Sequence, residues 1–363
     1  MAILSPGVRG LVCVLMMVAI CPPRPALLHT LHQEESAPSF PCPESTAIHP
    51  CLCLYDSPSG TLNLTCSNLA SYEQLDNIFA ADFPFTKFNW FQLQNSNVTS
   101  LKKGLFRDVY FSRMVLIFNN ITLIEEGTLE TMYNSLEYFH ISEIYDGDYQ
   151  WPLPDLAKFT SLIEIGINGP YETLPVLESS SLTSVFLGMR KLVSLPDNLF
   201  TSTPNLQFIT FQETNVNSIQ GNTFKLLSSL KKIEITRSGL ASLTEASLAF
   251  GSPDMEYINI ISNPIETIEA GAFQGLSGSV TVNVSHNLLE QLTENVFSEL
   301  LKNTTETIDV SNNPLLCGCD LYWLINITDA DLNRLKGLLP SCAIENGVYD
   351  RDTLVDFMKY QCS

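Results

Sequence analysis

From Phe88 onward, apolar residues return in one spacing, and that repetition constrains this chain more than any other feature. The stretch MEYINIISNPIETIEAGAF shows it most plainly. Met255, Ile258, Ile260, Ile265, Ile268 and Phe273 are apolar, and Asn263 stands between them. Written as a pattern, this is L-x-x-L-x-L-x-x-N-x-L-x-x-L-x-x-x-x-F. The frame also fits rows beginning Phe88, Phe91, Leu93; Phe111, Met114, Leu116; Leu182, Val185, Leu187; Leu206, Ile209, Phe211; and Leu230, Ile233, Ile235. Two rows are irregular. One, at Leu136, Phe139 and Ile141, is followed by a loop through Tyr145, Asp146, Gly147, Asp148 and Trp151; the other, at Leu162, Ile165 and Ile167, is short. Val282 with Val284, and Ile308 with Val310, open two more, making ten rows spaced 20 to 26 residues apart.

A unit of this size cannot bury its apolar face alone, so neighbours must stack. The x-L-x-L-x piece of each row predicts a short strand with alternate side chains inward. Period and pattern match a leucine-rich repeat. The expected fold class is an α/β solenoid, an arc with a parallel β-sheet on its concave face. Phe106, Phe200, Phe224, Phe273 and Phe297 are expected to stack as a convex spine. The asparagine position is occupied in turn by Ser96, Asn119, Ile144, Pro170, Arg190, Thr214, Ser238, Asn263, Asn287 and Asn313. An asparagine there bonds backbone across rows. Elsewhere the ladder is expected to be broken or carried by hydroxyls, with Ile144 through Arg190 the most irregular part.

Cysteine placement marks the ends. Besides Cys13 and Cys21, there are two sets of four: Cys42, Cys51, Cys53, Cys66, and Cys317, Cys319, Cys342, Cys362. Arg9, the apolar run Leu11–Ile20 and the prolines after it predict a signal peptide, cleaved between Ala19 and Ala26. An oxidising compartment and an even count favour disulfides over zinc. Spacing alone leaves three connectivities per set. The expected organisation is a signal peptide over 1–25, a linker over 26–41, an amino-terminal cysteine cap over 42–84, repeats over 85–310 and a carboxy-terminal cap over 311–363. Thr328 is expected to cap a helix bracketed with Asp331 and Gly337, and Trp323 to seal the last repeat. No other run approaches membrane length, so a secreted, extracellular protein without membrane insertion is expected. The formal charge of −20 argues against nucleic acid and anionic membrane surfaces.

The cysteine spacing around Cys42–Cys66, and the run NPLLCGCDLYWL, resemble the caps of extracellular leucine-rich-repeat proteins. That resemblance implies the pairings Cys42–Cys53, Cys51–Cys66, Cys317–Cys342 and Cys319–Cys362. The runs LDNIFAADFPFTKFNWFQLQ and SLKKGLFRDVYFSRMVL, with the carboxy-terminal cap, are similar to a narrower group. It consists of secreted arthropod proteins named after the non-catalytic, leucine-rich-repeat subunit of oplophorid shrimp luciferase. The similarity spans nearly the whole mature chain. It implies a scaffold or stabilising accessory subunit, and no transferable light-emitting activity.

Catalytic motifs are absent: there is no G-x-S-x-G, no H-E-x-x-H and no phosphate-binding glycine loop. No enzyme activity, cofactor or metal is expected. Asp146 and Asp148 fall short of a calcium loop and read as a solvated turn. The concave sheet is the usual binding surface of such arcs. Its outward positions place Tyr138, His140, Phe186, Phe208 and Tyr257 as candidate anchors for a protein partner. The alternative is that these rings cover one another or pack under an insertion. Six glycosylation sequons occur, at Asn63, Asn97, Asn120, Asn283, Asn303 and Asn326. Asn97 and Asn120 are expected to project from one edge. A sugar on Asn283 would obstruct the carboxy end of the concave face, which directs binding to the amino-terminal and middle rows. The functional expectation is a secreted protein-binding scaffold, serving as an accessory subunit of a secreted complex; microbial pattern recognition, with glycan binding, and matrix binding are the alternatives.

Overall fold

The computed structural model describes residues 41–316, 318–338, 356, 359 and 360. They fall in one compact unit, Pro41–Ser363. The expected signal peptide and linker lie outside the described residues.

Alternation along each row makes strands with two unlike faces. In Lys232–Thr236, Ile233 and Ile235 are buried, while Lys232 and Glu234 stay partly exposed. Stacking joins these strands into a single thirteen-stranded sheet. Ten parallel strands, one per row, run from Lys87–Gln94 to Ile308–Asp309. The hairpin Leu52–Asp56 and Thr61–Ser67 adds two at one end, antiparallel to each other. Leu335–Lys336 adds the last, pairing with Ile308–Asp309. Register is held in step: Ile209 lies opposite Ile233, Ile233 opposite Ile258, Ile258 opposite Val282, and Val282 opposite Ile308. A one-residue slip would turn every such side chain to solvent, so burial itself fixes the pairing.

The chain leaves most strands through a residue in the left-handed region. Asn95, Phe118, Glu213, Arg237, Ser262, His286 and Asn312 hold φ between 49° and 58° there. The residue that follows immediately carries the ladder. Asn313 Oδ1 accepts from Leu289 N at 3.1 Å, Asn287 Oδ1 from Asn263 N at 3.0 Å, and Asn263 Oδ1 from Ser238 N at 2.7 Å. Asn287 Nδ2 returns the favour to Ile260 O at 2.7 Å and Val284 O at 2.8 Å. Hydroxyls take over where asparagine is missing: Thr214 Oγ1 donates to Ser238 Oγ at 2.9 Å, and Ser96 Oγ accepts from Leu69 N at 3.1 Å. Asn287→Ala therefore leaves buried backbone groups unpaired on both sides. It is expected to cost about 2 kcal/mol, read as a reduced denaturant midpoint; an unchanged midpoint would contradict the ladder's role.

The irregular row departs from the frame. Ile144, expected at the ladder position, is 53% exposed, and the fully buried Glu143 takes the role one residue earlier. Its carboxylate accepts from Asn119 N at 2.9 Å, Asn120 N at 2.7 Å and Ile121 N at 3.3 Å. The longer carboxylate side chain reaches from a position where an asparagine amide would fall short. Two rows on, Arg190 donates to the carbonyls of Glu143 at 3.3 Å and Ile144 at 3.4 Å. Tyr171 is buried beside this cluster, its ring 5.4 Å from Tyr149. Gly169 permits that packing, because a Cβ there would press on Tyr171 at 3.0 Å and Glu143 O at 3.1 Å.

The convex spine is shorter than expected. Phe200 and Phe224 stack at 6.1 Å, and Phe250, not Phe273, stacks on Phe224 at 6.1 Å. Phe273 and Phe297 are buried, but Phe273 enters a short strand paired with Leu248–Ala249. Phe106 belongs to a separate amino-terminal cluster with Phe79, Phe91 and Phe111, its ring 4.9 Å from Phe79. The FPFTKF segment feeds that cluster through Phe83 and Phe88, 5.9 Å apart. Helix Tyr72–Phe79, capped by Ser71, supplies Phe79.

Both disulfides implied for the amino-terminal cap are present, Cys42–Cys53 and Cys51–Cys66. At the other end Cys319 is disulfide-bonded. Cys317, Cys342 and Cys362 lie outside the described residues, and so do the two pairings implied there. Trp323 is buried and donates from Nε1 to Leu292 O at 2.9 Å, closing the last row. Thr328 accepts from Asp331 N at 3.1 Å and caps a helix, but that helix is only Asp329–Arg334. Leu335 and Lys336 leave it to join the sheet, because the terminal strand Ile308–Asp309 has a free edge to satisfy.

Candidate functional site

The register places outward side chains of the great sheet in columns. One runs Asn63, Trp90, Arg113, Tyr138, Glu164, Ser184, Phe208, Lys232, Tyr257. The next runs Gln92, Val115, His140, Gly166, Phe186, Thr210, Glu234, Asn259, Asn283. Four rings across these columns form a continuous chain. Trp90 leans over the intervening row to stack on Tyr138 at 6.4 Å and 19°, Tyr138 stacks on His140 at 6.4 Å and 10°, and His140 meets Phe186 at 6.5 Å. The guanidinium of Arg113 lies 6.0 Å from the Tyr138 ring.

Gly166 makes the chain possible. A Cβ there would collide with Nδ1 of His140, so the imidazole occupies the space a side chain would take and reaches toward Phe186. Burial lowers the His140 pKa from 6.5, which leaves the ring uncharged near neutral pH. Burial, with the Glu164 carboxylate second, raises the Tyr138 phenol, and Arg113 opposes them.

Of the five candidate anchors, three are therefore brought together: Tyr138, His140 and Phe186. Phe208 and Tyr257 stand apart from them, 43% and 46% exposed, on either side of Lys232, which pairs with Glu234 at 2.7 Å. Trp90 and Arg113 are the additions. Trp90 shares the Tyr138 column, and an aromatic in that column was the available signal. Its lean across a whole row is a tertiary fact.

The sequons are spread around the unit. Asn63 stands beside Trp90 at the amino-terminal end of the face, and Asn283 lies at its carboxy end, accepting from Ser285 N at 2.9 Å. Asn97, Asn303 and Asn326 are exposed, and Asn120 is half-buried. In the loop after the irregular row, Lys191 donates to Gly147 O at 3.3 Å. Among the described residues no group of three or more His, Cys, Asp or Glu is arranged to hold a metal ion, and no helix is long and apolar enough to cross a membrane.

Ten stacked rows on a common parallel sheet, with a ladder behind the strands and a disulfide-bonded amino-terminal cap, define a leucine-rich-repeat solenoid. The family model for the BspA type leucine rich repeat region matches residues 193–315 in six copies. Over most of its length the chain is similar to the Oplophorus-luciferin 2-monooxygenase non-catalytic subunit of Oplophorus gracilirostris. The two are 25% identical over 308 residues, covering 83% of this chain and 83% of that protein. It is also 30% identical over 145 residues to leucine-rich repeat-containing protein 3 of Danio rerio, covering 40% of this chain and 42% of that one. In fold, it matches a chain of the octameric complex of Latrophilin 3, Unc5D and FLRT2, with a TM-score of 0.50 at 19% identity, over 81% of this chain and 91% of that one.

Proposed function

We propose that this chain is a secreted, non-catalytic scaffold whose concave sheet grips a protein partner, serving as an accessory or stabilising subunit of a secreted complex. The observation that carries the reading is the ring chain Trp90–Tyr138–His140–Phe186 on a sheet hydrogen-bonded on both sides. Half-buried aromatics on a rigid backbone offer large contact area at little conformational cost. Disulfides at the amino-terminal cap fit an oxidising compartment. The similar Oplophorus protein is itself described as a non-catalytic subunit. With a formal charge of −20, a partner presenting a basic face would be drawn in fastest.

The test is affinity purification of the chain from its native secretion, followed by mass spectrometry and an activity screen of the purified chain. One stoichiometric protein partner, with no turnover by the chain alone, is the expected result. Recovery of microbial glycans or insoluble matrix with no fixed protein partner would overturn it.

A further inference from the structure

A second feature lies on the edge of the repeats, away from the concave rings. The left-handed turn position after most strands faces solvent, and its occupants Asn95, Glu213, Arg237, Ser262, His286 and Asn312 are polar. Phe118 is the apolar exception. It is 38% exposed, and Tyr145 from the next row, 54% exposed, joins it around a hollow of about 320 Å³. Asn97 and Asn120, two of the six sequon asparagines, line the same hollow.

The two asparagines are held differently. Asn97 turns its Nδ2 away, donating to Ala70 O at 3.2 Å. Asn120 has its Oδ1 fastened from inside by the Tyr149 hydroxyl at 2.7 Å. An amide is planar, so an oxygen held inward presents the nitrogen outward. That nitrogen is the atom N-linked sugar attaches to. It stands two residues after Phe118 and two before Thr122, whose hydroxyl completes the sequon.

We infer that Asn120 carries an N-linked glycan whose first N-acetylglucosamine fills this hollow and packs its apolar face on Phe118 and Tyr145. A pyranose has one face of C–H groups, and an aromatic ring is the surface that complements it. The sugar is thus a structural part of the repeat edge, covering two rings that would otherwise meet water. The inference rests on the chain passing through the secretory pathway, as the proposed function also requires.

The test uses the full chain secreted from a glycosylating host. Glycopeptide mass spectrometry is expected to find Asn120 modified. Thermal unfolding is then compared for the unaltered chain, Thr122→Val, Phe118→Ser and the double variant. Thr122→Val abolishes the sequon without touching Asn120 and is expected to lower Tm by about 2–4 °C. Most of that drop is expected to vanish in the Phe118→Ser background. The bond from Thr122 Oγ1 to Thr99 O is lost in both backgrounds and cancels. If Phe118→Ser does not fold, Tyr145→Ser completes the same cycle. An unmodified Asn120 on the secreted chain overturns the inference alone; failure of the chain to be secreted overturns it together with the proposed function. Equal Tm drops in both backgrounds overturn the packing of sugar on the rings.

Discussion

Glu143→Ala is expected to destabilise the chain by about 3–5 kcal/mol, the largest effect of any single substitution considered. The carboxylate is fully buried, and it alone satisfies Asn119 N, Asn120 N and Ile121 N. Alanine would leave three amides facing a cavity, in the part of the solenoid where the asparagine ladder is missing. Glu143→Gln keeps an acceptor oxygen and removes a buried charge, so its loss should stay within about 1–2 kcal/mol. Chemical denaturation of both variants checks the ordering; equal losses would mean that shape, not amide capture, is what Glu143 supplies.

Glu143 also predicts a pH dependence with a definite sign. Burial raises its pKa above the unfolded value near 4.5, against the opposing pull of the three amides. The folded chain therefore holds this proton more tightly than the unfolded chain does. Its contribution to stability is present below the unfolded value and is lost as pH rises through the folded one. Glu143→Gln has no such proton. Its stability relative to the unaltered chain should improve as pH rises from about 4 toward 8, when other groups are common to both. A constant difference across that range would refute the linkage.

The second large effect is on binding. Tyr138→Ala and Phe186→Ala are each expected to weaken the partner complex about 30- to 1,000-fold, the range for a central aromatic anchor. Tyr138 sits at the junction of the chain, stacked on both Trp90 and His140 and flanked by Arg113. Removing it cuts the ring chain in two. Both side chains are only half-buried, so folding stability should change by less than about 1 kcal/mol. Titration calorimetry against the purified partner, with thermal unfolding as the control, separates the two effects. Full affinity in both variants would move the binding surface away from these rows.

Much of this molecule is written in its periodicity. The ten rows, the strand in each, the inward column from Ile209 to Ile308 and the cap around Trp323 all follow from apolar spacing and cysteine placement. They are legible because each is the same contact repeated at nearly constant separation, and a repeated contact leaves a repeated residue. What the tertiary structure alone decided are the contacts made once. Glu143 replaces Ile144 at the ladder because the backbone after Ser142 takes a different path, and only a longer side chain one position earlier spans the gap. Trp90 reaches Tyr138 across the Arg113 row, and His140 extends the chain because Gly166 leaves room. Such contacts depend on backbone path and side-chain reach together, and a one-dimensional spacing carries neither.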